Sequence, residues 1–523
     1  MSMTFARISG FFVPDNTMTM KNDGSTIRLL LPGFLLFGLL LPTLPGLAQR
    51  GVPSGAYNSG NGPSAATESL GTQLRRLAAA AQISNPVLNT PLGPAPAWAA
   101  STAYAIGQIV SNGGYQYICS VAGTSAASGG PTGQGMGPIA DNTVTWFYYG
   151  FSTPSAAAAN QPVITQSATV PSGLTNTYAY NANPSPFYYT GGTPHTTGSS
   201  MYILWSQTTG TSATAPNASN GYIVTFMTDA TKIAVKTSSG QQTGRYIIDG
   251  QYVTISGYVN GTGATPSYDV IDFTNAGARK NRKIAVEMNL NNQFGGVSVA
   301  PTEEVWAPTA QDRIRVVWVG DSISASGNST PALNGAMVPQ QVAYLLGWSD
   351  VWNDGIGGTG YVATNGGTSY SFGQRIAYDV TPWSPNLVVF LGSINDVGQS
   401  GIQAAALSAY QAVRGALPGV PIIVAGIPPD SPNNGGSANI TTAESALQAA
   451  VTQFGDPLTF FIPINNDAAG AWITGTGKVT ATNGTGNADA YISSDGVHPT
   501  DMGRLYLSRK LANAIQNVLA QIP

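Results

Sequence analysis

Three groups of residues in this chain could together break an ester bond. Ser322 stands in Val317-Trp318-Val319-Gly320-Asp321-Ser322-Ile323-Ser324, where a β-branched and aromatic run ends in a glycine, an acid and a serine. A buried strand delivers a side chain to the edge of an α/β sheet in this way. A serine hydroxyl is a weak nucleophile until a base takes its proton, and the base needs an acid to hold its tautomer. The chain has 2 histidines, and His498 lies in Ser493-Ser494-Asp495-Gly496-Val497-His498-Pro499-Thr500, three residues after Asp495. One short loop can therefore carry both acid and base. A tetrahedral intermediate also needs donors aimed at its oxyanion. The loop Asn353-Asp354-Gly355-Ile356-Gly357-Gly358-Thr359-Gly360 exposes backbone N–H groups, and Asn395, beyond Phe390-Leu391-Gly392, can add a side-chain amide. Asp321, next to the serine, is expected to fix the turn rather than to act as the acid partner.

The elements that must position these residues follow from the hydrophobic pattern between about 312 and 523. Strands are expected at Arg315 to Val319, Pro385 to Leu391, Val420 to Gly426 and Leu458 to Pro463. Helices are expected around Leu333 to Leu346, at Ile402 to Leu417, at Thr442 to Phe454 and, closing the chain, at Asp501 to Leu519. Strands alternating with helices predict a mostly parallel sheet with helices on both faces, a three-layer α/β domain. Ligands of such sheets sit beyond the carboxyl ends of the strands. Ser322, Gly358, Asn395 and the Asp495/His498 pair all fall on that side.

Four segments resemble the sequence blocks of the SGNH, or GDSL-like, hydrolase superfamily. Gly320-Asp321-Ser322-Ile323 resembles the nucleophile block, and Asn353-Asp354-Gly355-Ile356-Gly357-Gly358 the glycine block. Gly392-Ser393-Ile394-Asn395-Asp396 resembles the asparagine block, with one extra residue between Gly and Asn, and Asp495-Gly496-Val497-His498-Pro499 the Asp-x-x-His block. The resemblance implies ester hydrolysis by a triad of Ser322, Asp495 and His498. It implies an oxyanion hole from the amide of Ser322, Gly358 (with Gly357 as the neighbouring candidate) and Asn395. It does not choose the ester.

Composition bounds the rest. Charged residues make up 9% of 523, with 63 Gly, 35 Pro and a formal net charge of −3; an average soluble protein carries roughly 25% charged residues. There is no basic stripe for nucleic acid. The single cysteine, Cys119, excludes a disulfide framework within the chain, and with His195 and His498 the only histidines no metal or other cofactor is expected.

Residues 1–95 are read as an apolar anchor or signal segment plus linker. The run from Leu29 to Leu47 is broken by Pro32, Pro42 and Pro45. It can be a packed anchor against a partner or its own copies, a signal peptide, or a membrane contact. A helical candidate, Thr67 to Gln82, is read as part of the linker or as a small oligomerisation element.

Residues 96–150 read as a small β module. The spacing Trp98…Tyr104…Gly107…Val110…Gly114…Tyr115…Tyr117 resembles small chitin- or cellulose-binding modules and a module of phage tail fibres. Trp98, Tyr104, Tyr117 and Trp146 are accordingly candidate stacking platforms for sugars, or else the module's own core. After a low-complexity linker, 151–170, residues 171–310 read as a β-sandwich or jelly roll of eight short strands.

The expectation is a serine esterase that removes O-acetyl groups from a polysaccharide, placed on a phage tail fibre or spike and acting on an acetylated bacterial surface polysaccharide. The N-terminal segment would join other virion proteins, and a homo-oligomer, a trimer by analogy, would form. A secreted bacterial carbohydrate esterase and a non-catalytic receptor-binding virion protein are the alternatives.

Overall fold

Alternating apolar residues in the C-terminal region build a sheet buried on both faces. In the computed structural model, β1 (Arg315–Gly320), β2 (Asp350–Gly355), β3 (Leu387–Leu391), β4 (Ile422–Ala425) and β5 (Thr459–Ile462) form a five-stranded sheet in the order β2-β1-β3-β4-β5. Every pairing in it is parallel. Period-two alternation divides the strand residues between two cores. Val316, Trp318, Val389 and Ile423 enter one, while Val317, Val319, Val388 and Val424 enter the other. Helices α2 (Val338–Leu346) and α7 (Asp501–Leu519) cover the first face. The second is covered by α3 (Phe372–Arg375), α4 (Ile402–Ala416) and α5 (Ala438–Phe454). The expected three-layer α/β domain is thus present. Strand β2, which the sequence reading treated only as a loop, lies at one edge of the sheet.

The structure describes residues 17–22, 25–30, 68–83, 95–133, 138–151, 162–191, 221–240, 243–252, 258–259, 262–275, 279–289, 293–309, 314–325, 337–430 and 437–523. The strand expected at Met201 to Trp205, His195, most of the Leu29 to Leu47 run and the start of the helix expected from Leu333 lie outside them. Residues 1–49 form a unit of their own, in which Thr17–Asn22 pairs antiparallel with Ser25–Leu30. Among the described residues, no helix is long and apolar enough to cross a membrane.

The middle of the chain folds as two antiparallel sheets. One runs Asn176–Ala179, Gln293–Val299, Lys232–Gly240, Thr262–Asp272, Val163–Ser167. The other is built on Tyr188–Thr190, Gly221–Thr228, Arg282–Asn289 and Thr243–Ile248. Val235 and Phe294 of the first meet Phe226 and Ile284 of the second in one core. Val163–Ser167 falls in the stretch read as low-complexity linker. Its pairing with Thr262–Asp272 makes it an edge strand, a role that only the partner strand could reveal. The sandwich touches the α/β domain through the Gly191 N–H, which donates to Asp350 Oδ1 at 3.3 Å.

Two N-terminal elements dock on the α/β domain. Helix α1 (Leu70–Ile83), read as linker or oligomerisation element, packs on α2 and α7. Arg75 donates from Nη1 to Leu519 O at 2.8 Å and Ile522 O at 2.9 Å, satisfying carbonyls at the end of α7. The small β module packs on the same domain. Its strand Val144–Phe151 lays Phe147 against Tyr506 of α7, ring centroids 5.8 Å apart, and Val110, Tyr117 and Trp146 share the core of the α/β domain.

Candidate active site

The strand β1 ends at Gly320 and the chain turns at once. Asp321 Oδ1 accepts from Ile323 N at 2.8 Å, and Ala325 N donates to Asp321 O at 3.0 Å. A side chain at Gly320 would meet Ser324 Oγ at 2.1 Å, so only glycine allows so tight a turn. Ser322 sits half-buried on this turn, while Asp321 beneath it is fully buried. Burial pushes the Asp321 carboxyl up from its ordinary value. The N–H groups of Ile323 and Ile394, the Ser393 hydroxyl and the charge of His498 pull the other way.

The loop of His498 folds on itself. Ser493 N donates to His498 O at 2.8 Å and Gly496 N to Ser493 O at 3.0 Å, with Gly496 at φ +80°. Asp495 Oδ1 accepts from Ser493 Oγ at 2.7 Å, Val497 N at 2.9 Å and His498 N at 3.0 Å. Its Oδ2 lies 2.7 Å from His498 Nδ1. Burial pushes the Asp495 carboxyl up, but these donors outweigh it and hold the group well below the usual carboxylate range. A carboxylate on Nδ1 fixes the proton there and leaves Nε2 as the acceptor. His498 Nε2 is buried and has no partner among the described residues. Just beyond, Thr500 caps α7 by accepting from Gly503 N at 3.0 Å.

The glycine loop follows β2. Ile356 N donates to Gly320 O at 3.0 Å, which keeps the loop beside the serine turn. A side chain at Gly357 would stand 3.6 Å from Ser322 Cβ, so Gly357 is the residue that faces the serine. Gly358 is at φ +72°, and a side chain there would strike Asn365. Neither the Gly357 nor the Gly358 N–H has an acceptor among the described residues. Asn395 follows β3. Its Nδ2 donates to Thr359 O at 3.0 Å and Ser393 Oγ at 3.1 Å, which sets the amide beside the glycine loop. The structure therefore gathers Ser322, Gly357, Gly358 and Asn395 on one edge, with the Asp495/His498 pair held on its own loop.

Two residues that sequence reasoning missed stitch this edge together. Asp396 is buried and accepts from Tyr361 N at 2.7 Å, Val362 N at 3.1 Å and Ala363 N at 2.8 Å, tying the asparagine turn to the end of the glycine loop. Burial pushes its carboxyl up, and the three N–H groups oppose that. Arg375, fully buried, donates to Gly320 O at 3.0 Å and Asp354 O at 2.9 Å and pairs with Asp354 Oδ2 at 3.0 Å. An acid next to Asn395 in so charge-poor a chain was a signal for Asp396. Arg375 had none, because its partners are 21 and 55 residues away.

The sugar-stacking candidates are corrected in part. Tyr117 and Trp146 are buried, and Trp146 Nε1 and Trp98 Nε1 both donate to Asp141 Oδ2, at 3.0 and 2.8 Å. Tyr104 packs edge-on against Trp146 at 4.9 Å. Tyr117 and Trp146 present no face to a sugar, because the module is too small to form a core without them; Trp98 and Tyr104 are half-buried against that core.

Residues 318–504 match the model of the GDSL-like Lipase/Acylhydrolase family. The C-terminal domain is a GDSL-like lipase/acylhydrolase domain. No curated protein matches the chain. Among solved structures, the chain is similar to the salicylyl-acyltransferase SsfX3 from a tetracycline biosynthetic pathway, at 10% identity over 66% of this chain and 98% of that one, TM-score 0.49. It is similar to a family two carbohydrate esterase from Clostridium thermocellum in complex with cellohexaose, at 18% identity over 58% and 94%, TM-score 0.42. It is similar also to the acetyl xylan esterase Est2A from the rumen bacterium Butyrivibrio proteoclasticus, at 11% identity over 69% and 100%, TM-score 0.41. In the GDSL-like domain, Ser322 and His498 both lie within the matched residues.

Proposed function

We propose that this protein is a serine esterase that removes O-acetyl groups from a polysaccharide. One observation carries the reading: the Asp495 carboxylate holds His498 by Nδ1 at 2.7 Å and leaves Nε2 bare, in a GDSL-like domain that also contains Ser322. In this reading His498 Nε2 takes the proton of Ser322 Oγ as the hydroxyl attacks the acetyl carbonyl. Nε2 then returns that proton to the departing sugar oxygen. Water, activated by the same nitrogen, cleaves the acyl-enzyme to acetate and frees Ser322.

The oxyanion receives the N–H of Ser322 and an N–H of the glycine loop. For Asn395 to donate as well, its Nδ2 must give up one of its two present contacts, of which that to Ser393 Oγ is the longer. A neutral polyol suits a chain with 9% charged residues and excludes no class of sugar. The setting proposed is a phage tail fibre or spike, which rests on the sequence resemblance of the 96–150 module. A secreted enzyme is the second reading.

The test is acetate release from O-acetylated polysaccharides by the full chain and by Ser322→Ala. The expected result is release by the parent and a fall of about 10⁴-fold or more in the variant. Equal release by both proteins sinks the serine mechanism, and none by the parent sinks the esterase reading.

A further inference from the structure

Helices α4 and α5 each follow the carboxyl end of a strand, so both begin on the edge that carries Ser322 and Asn395. Between their first turns lies a groove of about 340 Å³. Its polar lining is Gln399, Gln403, Asn439 and Thr442, and its apolar lining includes Ala443 and Ala446. No charged side chain lines it. One wall of the groove adjoins the asparagine turn, since Gln399 Nε2 donates to the backbone oxygen of Asn395 at 2.7 Å. Gln403 Nε2 also donates to Gln453 Oε1 of α5 at 2.9 Å, which ties the two helices together.

We propose that this groove binds the saccharide that leaves when the acetyl group is transferred to Ser322. The inference rests on the esterase reading above and adds where its alcohol half is held. Carboxamides and a threonine hydroxyl each donate and accept, as a sugar's hydroxyls require, and an uncharged lining discriminates against anionic chains. Ala443 and Ala446 in the lining offer small apolar side chains to the C–H groups of a pyranose at no cost in side-chain entropy. A free monoester of a small alcohol would leave the groove empty.

The test compares kcat/KM for 4-nitrophenyl acetate, which has no sugar, with that for cellobiose octaacetate, in the full-length protein. The parent should favour the acetylated disaccharide. The double variant Gln403→Ala/Asn439→Ala changes two exposed side chains outside the catalytic machinery. It should lose roughly 10-fold on the disaccharide, the size expected for two hydrogen bonds, and nothing on 4-nitrophenyl acetate. Thr442→Trp, which fills the groove from an exposed position, should give the same split. No preference in the parent, or no split in the variants, overturns the groove while leaving the esterase reading intact. A parent inactive on both substrates overturns the esterase reading, and the groove with it.

Discussion

The two halves of the candidate site are held in opposite ways. On the serine side, Ser322, the glycine loop and Asn395 come from three strand ends and are joined by buried charged groups reaching across the fold. Asp321 reaches Ile394, Asp396 reaches Tyr361 to Ala363, and Arg375 reaches Gly320 and Asp354. On the histidine side, every contact of the Asp495 carboxylate lies within Ser493 to His498. The serine side is a product of the tertiary fold; the Asp495–His498 pair is held by donors from its own loop. Removing a carboxylate should therefore damage the fold on the first side and chiefly the chemistry on the second.

The largest expected effect falls on the histidine side. Asp495→Asn replaces an acceptor of the Nδ1 proton by a group that favours the wrong tautomer, so kcat for ester hydrolysis should fall by about 10³-fold. Stability should fall modestly near neutral pH, since the loop keeps its backbone bonds but loses the ionised acceptor. Its pH dependence has a definite sign. The folded carboxyl titrates below its ordinary value of 3.8, so its stabilising contribution is complete above that value and is lost as pH falls through the lower, folded one. The difference in melting temperature between parent and variant should be flat from pH 7 to about 5 and close in stronger acid. A difference that grew on acidification would show that Asp495 is not held in this way.

The mirror experiment is Asp396→Ala. It leaves two buried N–H groups and one part-buried one without their acceptor, and each unsatisfied buried group costs about 1–3 kcal/mol. A loss of about 3 kcal/mol or more is expected in urea unfolding followed by a probe in the α/β domain, with activity falling as the glycine loop loosens. If Asp396→Ala melted like the parent while Asp495→Asn unfolded, the comparison between the two halves would be reversed.

The same contrast decides what could be read in the sequence. The histidine loop was legible because its partners are three residues apart, and the strand-turn-serine because apolar alternation ends in Gly-Asp-Ser. The parallel sheet was legible from the alternation of strands and helices. Only β2 escaped, since Asp350 to Gly355 carries two acids and an asparagine, which enter the buried strand because Arg315 and Arg375 pair with Asp350 and Asp354. Val163–Ser167, Arg375 and the docking of α1 on α7 depend on partners far along the chain. Local pattern cannot report them. The aromatic residues of the 96–150 module were open to two readings, and for Tyr117 and Trp146 burial selects the core.

The smallest effect tests how much of the histidine loop's rigidity matters to chemistry. Ser493 is buried and its hydroxyl gives Asp495 Oδ1 one of its donors at 2.7 Å, while only its backbone N–H reaches His498. Ser493→Ala leaves the two N–H donors and the Nδ1 contact in place, so the carboxylate stays ionised but is held by fewer bonds. Loss of one hydrogen bond to a charged group among several should lower kcat less than about 10-fold, with KM unchanged. The readout that separates positioning from bulk structure is the acid limb of the pH–rate profile. A less firmly held carboxylate stabilises the imidazolium differently, so the limb should move, whereas a merely structural serine would lower the rate equally at every pH. Rescue by Ser493→Thr, which keeps the hydroxyl, should restore both the rate and the limb.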